Sequence, residues 1–175
     1  MILKGFKEKS NKKYMNKLLS ERYTNVSDNK VESMAVIFNL NEFDGLEKFN
    51  ELATRLQVQP NKFKVVAFSS NKEEKITSSG VCFYPHDFGW SGGIKNDELK
   101  TFLDTEYDVL ISYYQTDVTE LRLLTANSKA AFKVGLLQAD ERLNDLIIKT
   151  SLEDFNVFEN EVFKYLTILN KIKNE

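Results

Sequence analysis

Cysteine and histidine are almost missing from this sequence: the 175 residues hold one of each, Cys82 and His86. A lone cysteine forbids an internal disulfide and any cysteine-based zinc cluster, and one imidazole leaves too few nitrogen ligands for most zinc sites, so only a carboxylate-held cation stays open. Seven glycines and two prolines exclude collagen-like and low-complexity chains. The longest wholly apolar run, Met34 to Phe38, is about a quarter of a spanning helix. Met1-Ile2-Leu3 leads into lysines rather than a signal-peptide core, and the chain is expected in the cytoplasm. Arginine is scarce too: of 24 basic side chains only Arg22, Arg55, Arg122 and Arg142 are guanidinium.

The signatures of cofactor enzymes are also absent. The first apolar run is followed by Asn39-Leu-Asn-Glu-Phe-Asp-Gly45, with one glycine where a dinucleotide fingerprint needs three, and there is no Walker pattern. Phe88-Gly-Trp-Ser-Gly-Gly93 and Val134-Gly135 precede no long helix that would hold a pyrophosphate. NAD, FAD and ATP in their usual modes are not expected, and no cofactor is assigned. Asp87-Phe-Gly89 copies a kinase tripeptide without the lysine strand or catalytic loop of a kinase. No Gly-x-Ser-x-Gly elbow marks a nucleophile, and Cys82 inside an apolar strand reads as a small core residue.

What is present is the alternation of an α/β domain. Met34–Phe38, Phe63–Phe68, Gly80–Tyr84, Asp108–Tyr113, Phe132–Leu137 and Asp145–Ile148 read as six short strands. Asp44–Leu56 carries Leu46, Phe49, Leu52, Ala53 and Leu56 at helical spacing, and Asn96–Leu103 and Thr119–Ala131 follow as helices. Asn71–Ser79, charged and short, is expected as a loop or hairpin connection. A last helix is expected to open near Asn156, capped by its side chain with Glu159 completing the pair. Its Phe158, Val162, Tyr165, Leu169 and Ile172 repeat at 4,3,4,3, which favours a helix lying on a sheet over a dimer seam. The fold expected is a single-domain, mostly parallel, Rossmann-like three-layer α/β sheet with helices on both faces.

Before this body stands a proline-free stretch, Leu3–Arg22, that suits a helix. Residues 1–23 hold seven basic side chains against Glu8 and Glu21, a net +5 that leaves −7 on the rest of a chain whose formal charge is −2. Residues 1–30 are read as a basic helix and linker, and 31–175 as the α/β domain. Lys4, Lys7, Lys9, Lys12, Lys13 and Lys17 are candidates for an anionic partner: RNA, a ribosome or a membrane surface.

The most unusual segment is Tyr84-Pro-His-Asp-Phe-Gly-Trp-Ser-Gly-Gly93, which gathers the single His, the single Trp and three of the seven glycines. His86 and Asp87 form a possible acid/base pair and Trp90 a stacking platform; the competing reading makes Phe88 and Trp90 caps on the core. Tyr113, Tyr114, Asp140, Arg142 and Asn144 are expected to leave the sheet at the same strand ends and to surround a pocket at the strand-order switch point. Strand alternation also sends one of the two tyrosines into the core, and Asp140 and Asn144 equally suit a turn.

The runs Phe88-Gly-Trp, Ile94-Lys-Asn-Asp-Glu-Leu99, Phe102-Leu-Asp-Thr105, Asp108-Val-Leu-Ile-Ser-Tyr-Tyr114, Ser128-Lys-Ala-Ala-Phe-Lys-Val-Gly135 and Ala139-Asp-Glu-Arg-Leu-Asn-Asp145 resemble a family of small bacterial α/β proteins known only as a domain of unknown function. This resemblance implies one α/β domain and carries no activity. Asp108-Val-Leu-Ile111 and Lys129-Ala-Ala-Phe-Lys-Val-Gly135 are more faintly similar to the N-terminal half of heptosyltransferase-like glycosyltransferases. Those enzymes hold the nucleotide sugar largely through a second domain, so the likeness implies a half-fold rather than a transferase. Function is expected to be that of a non-catalytic module binding a protein partner or small ligand, as monomer or homodimer. The alternative is a small enzyme acting on a polar or anionic, nucleotide- or sugar-like substrate.

Overall fold

Apolar runs that do not alternate need cover on both faces, and the chain supplies it. The computed structural model describes residues 2–23, 27–76, 80–138 and 140–173. Six strands, β1 (Met34–Asn39), β2 (Phe63–Phe68), β3 (Val81–Phe83), β4 (Val109–Tyr113), β5 (Phe132–Leu136) and β6 (Leu146–Ile148), form one sheet in the order β3-β2-β1-β4-β5-β6. Every pairing is parallel. The sheet is therefore wholly parallel, and the hairpin considered between β2 and β3 does not form. Parts of that connection and of the linker after the first helix, residues 77–79 and 24–26, lie outside the described residues.

Helices α1 (Ile2–Ser20), α2 (Leu46–Arg55), α3 (Asp97–Asp104), α4 (Thr119–Asn127) and α5 (Phe155–Ile168) complete the fold. Because side chains alternate along a strand, β1 sends Met34, Val36 and Phe38 to one face and Ala35 and Ile37 to the other. The first set packs with Phe49 and Leu52 of α2 and Phe155, Phe158, Val162 and Leu166 of α5. The second packs with Met15 and Leu19 of α1, Leu99 and Phe102 of α3, and Leu121 and Leu124 of α4. This is a three-layer, Rossmann-like α/β fold.

Two local expectations change. Helix α5 begins one residue before Asn156 and has Asp154 at its N-cap without a side-chain cap bond. The Asp154 carboxylate instead accepts from Ser151 Oγ at 3.0 Å, so the turn before the helix, not the helix, takes the polar side chain. The buried stripe of α5 runs Phe155, Phe158, Val162, Leu166, while Leu169 lies past the last turn and is 39% exposed. A 3,4,4 stripe follows the period of a helix lying on a sheet rather than a heptad seam.

Candidate functional site

In open parallel sheets the ligand crevice lies beyond the strand C-termini where the order reverses, here between β1 and β4. In this chain that crevice is filled by its own loop. Asn39 ends β1, and the carboxylate of Glu42 three residues on accepts from the backbone N–H of Gln115 (3.2 Å) and Thr116 (2.7 Å) just after β4. It also accepts from the Thr116 hydroxyl and from Asn39 Nδ2. Phe43 turns inward beside it, with ring centroids 4.8 Å from Tyr113 and 5.5 Å from Phe49. Gly45 permits this, since a Cβ there would lie 2.4 Å from the Phe43 ring. Two backbone donors of the kind that hold a phosphate are thus taken by a side-chain carboxylate.

The eight candidate ligand residues separate into three places. Tyr113 and Tyr114 are both fully buried. Tyr113 donates to Leu152 O at 2.8 Å under α5, and Tyr114 lies on the opposite face, its hydroxyl 2.8 Å from Thr125 Oγ1. Burial pushes both phenols above their ordinary pKa, and neither tyrosine reaches a pocket. Alternation directs them to opposite faces, as expected, but both faces are covered, so both are core.

Asp140, Arg142 and Asn144 sit beyond β5. Asp140 and Arg142 form a two-pronged pair at 2.9 and 2.7 Å, and the hydrogen bonds from Arg142 hold the Asp140 carboxyl below its usual range. Arg142 also donates to Asn16 Oδ1 of α1 at 3.0 Å. Asn144 is buried: its Oδ1 accepts from Ser112 Oγ at 2.7 Å and its Nδ2 donates to Gln138 Oε1 at 2.6 Å. Gly135 lets this network close, because a Cβ there would fall 2.4 Å from Ser112 Oγ. A satisfied polar network of this kind rigidifies the β4–β5 seam.

His86, Asp87 and Trp90 stay together, after β3. The 3-10 turn Pro85–Asp87 is closed by the Asp87 carboxylate accepting from Tyr84 N–H at 2.8 Å. His86 Nε2 is 3.8 Å from Asp87 Oδ1, too far for the hydrogen bond of an acid/base pair, and its ring stacks on Tyr84 instead. His86 and Trp90 line a groove of about 500 Å³ with Leu3, Lys4, Lys7 and Glu8 of α1 and Glu120 of α4, so its lysines are balanced by two carboxylates. Arg142 and Asn144 line a different cavity. The candidate residues therefore do not converge on one concave site.

The Phe88–Gly93 loop has a clear structural task. Helix α1 lies against it and is fastened by polar side chains that face the body. Lys7 Nζ donates to Phe88 O at 2.7 Å, Asn11 Nδ2 to Gly89 O at 3.1 Å, and Gly92 N–H to Asn11 Oδ1 at 2.9 Å. Ser10 and Ser91 hydroxyls meet at 2.8 Å. Gly92 has φ of +73°, and a Cβ on it would lie 2.1 Å from the Tyr14 ring, so both conformation and contact require glycine. At the far end of the helix Arg22 pairs with Asp145 at 2.6 Å.

Helix α1 thus has two unlike faces. Asn11, Met15 and Leu19 are buried, while Lys4, Lys9, Lys12, Lys13 and Lys17 are exposed and Lys7 is half-buried and bonded. Of the six candidate lysines, five remain open to a partner. Sequence reasoning placed these lysines but missed Asn11, whose signal was a polar residue in register with Met15 and Leu18 on the inner face.

One buried cation escaped notice altogether. Lys133 on β5 is 2% exposed and donates to Thr125 O at 2.6 Å at the C-terminal end of α4, where backbone carbonyls lack helical partners. Burial, with Arg22 nearby, pushes its pKa down to about 7 against the opposing pull of Asp145. Among the described residues no group of three or more His, Cys, Asp or Glu side chains is placed to hold a metal ion, and no helix is long and apolar enough to cross a membrane.

A family model described as a family of unknown function (DUF6913) matches residues 7–169. No curated protein and no solved structure matches the chain, so the likeness to heptosyltransferase-like enzymes gains no support there.

Proposed function

The chain belongs to this family of unknown function, and from that premise we propose that it is a non-catalytic binding module of the cytoplasm that engages an anionic partner through the outward face of α1. The observation that carries this reading is the division of the helix. Its polar inner residues hold it to the body, and Lys9, Lys13 and Lys17 stand exposed in the opposite direction. None of the three takes part in an ion pair among the described residues. A row of unpaired ammonium groups on a rigid support attracts a polyanion without ordering its own backbone. Against catalysis stand the filled crevice at the strand-order reversal, the 3.8 Å gap between His86 and Asp87 and the burial of both tyrosines.

The test is retention on a heparin column. The wild-type chain should be held at low salt and released as salt rises, and Lys9→Glu/Lys13→Glu should flow through while keeping its circular dichroism spectrum. Equal retention of both would refute the proposal. The groove of about 500 Å³ beside His86 and Trp90 supports a second reading, a small-ligand site in which Trp90 stacks on an aromatic ligand. Quenching of Trp90 emission by a small aromatic anion, lost in His86→Ala, would favour it.

A further inference from the structure

The outward face of α1 is not only basic. Ile2, Leu3 and Phe6 are 78%, 72% and 58% exposed, and Trp90 is 51% exposed. Ile2, Phe6, Lys9, Lys13 and Lys17 follow one another at intervals of four, three, four and four, so they form one stripe along the helix. Leu3, next to Ile2 in the chain, lines a groove beside this stripe with Trp90, Lys4, Lys7, Glu8 and Glu120. Large apolar side chains at one end and a row of ammonium groups along the rest, on a helix held against the domain, suit a surface that meets an anionic bilayer through charge, with a few apolar anchors at one end.

We propose, building on the reading above, that the partner is an anionic phospholipid surface: Ile2, Leu3, Phe6 and Trp90 enter the headgroup region while Lys9, Lys13 and Lys17 meet lipid phosphates and carboxylates. Charge orients the approach, since residues 1–23 carry a net +5 and the remainder −7, so the acidic body is repelled from the surface that the helix seeks. Nucleic acid fits less well. Its phosphates have no use for Ile2, Leu3 and Phe6, and the two guanidinium groups beside this helix, Arg22 and Arg142, are paired with Asp145 and Asp140. A second copy of the chain fits less well again, because a two-fold contact through this face would bring the row of Lys9 and Lys13 against itself.

Trp90 is the single tryptophan, so its emission reports this patch without labelling. The full chain is mixed with phosphatidylcholine vesicles, with vesicles also containing phosphatidylserine, and with an RNA homopolymer. Flotation with the phosphatidylserine vesicles alone is expected, with a blue shift of Trp90 emission and release by salt. Phe6→Asp and Lys9→Glu/Lys13→Glu, all at exposed positions, should each weaken that binding by about ten-fold or more at unchanged circular dichroism. Equal flotation with both kinds of vesicle, or no effect of Phe6→Asp, would overturn the lipid assignment. Lysine-dependent RNA binding without flotation would overturn it too while leaving the polyanion-binding module standing, and loss of both would remove both.

Discussion

The two faces of the sheet are covered in different ways. Under α2 and α5 the cover is aromatic: Phe43, Phe49, Tyr113 and Phe155 pack with ring centroids 4.8 to 5.8 Å apart. On the other face α1 contributes Met15 and Leu19 to the core, and its upper half is held by Lys7, Ser10 and Asn11 bonded to one loop. The aromatic face derives its stability from buried area, which is non-directional and tolerant. The other face has a buried core of its own, with Phe68, Phe83, Phe88 and Phe102 in it, but the N-terminal half of α1 is seated there by a few directional bonds, of which that from Asn11 to Gly89 O leaves a buried group unsatisfied when broken. A helix held in that way can keep a basic stripe with a few apolar residues at one end free for another surface, because Ile2, Leu3 and Phe6 are not needed inside.

Substitutions should separate the two faces, beginning with the largest effect. Phe49→Ala leaves a hole in the aromatic cluster and should lower the unfolding free energy by about 3–5 kcal/mol in urea titration, for the whole domain. Gly92→Ala forces a positive φ on a residue with a Cβ and drives that Cβ into Tyr14; a loss of roughly 1–3 kcal/mol is expected, with faster amide exchange concentrated in α1. Asn11→Ala strips Gly89 O and Gly92 N–H of their partner and should cost about 1–3 kcal/mol, again with exchange rising in α1 more than in α5. Equal loosening of α5 in either variant would erase the distinction between the faces.

A smaller effect concerns pH. The buried Lys133 ammonium titrates near 7 in the fold and at its ordinary 10.5 in the unfolded chain. Between those values the unfolded chain binds a proton that the folded one lacks. Stability from this group therefore rises with pH across that window, and below it the full penalty of burying the charge remains. Wild type should gain in urea midpoint from about pH 7 to about pH 10 relative to Lys133→Met, which keeps the volume and removes the proton. Parallel pH profiles of the two proteins would show that Lys133 does not titrate in the fold.

Much of the fold was legible because strands buried on both faces leave uninterrupted apolar runs. Phe63–Phe68 was read with its observed ends, and β1 differs only by the addition of Asn39. The site was less legible, and the reasons are physical. Tyr113 and Tyr114 alternate as any strand residues do, but alternation alone does not say whether both faces are covered. The His86 loop was recognisable as an unusual surface from its rare residues, yet its partner is α1, some 80 positions away in the chain (Lys7 to Phe88, 81 apart). Local pattern carries no trace of a contact at that separation. Glu42, which fills the crevice, stands in an ordinary polar loop, and only the parallel pairing of β1 with β4 brings it to the N–H groups of Gln115 and Thr116. The capping pair expected at Asn156 failed because Asp154 and Ser151 offered a competing turn.

The central claim is that α1 is latched to the domain by its polar side and presents its basic, apolar side outward. Hydrogen exchange on the full chain, read amide by amide through residues 8–20 in wild type and in Asn11→Ala, tests it most directly. The account predicts strong protection around Asn11 to Leu19 in the wild type, comparable to that of α4, and marked loss of it in Asn11→Ala while α5 is unchanged. Exchange through α1 at unfolded rates in the wild type, or protection indifferent to Asn11, would contradict it.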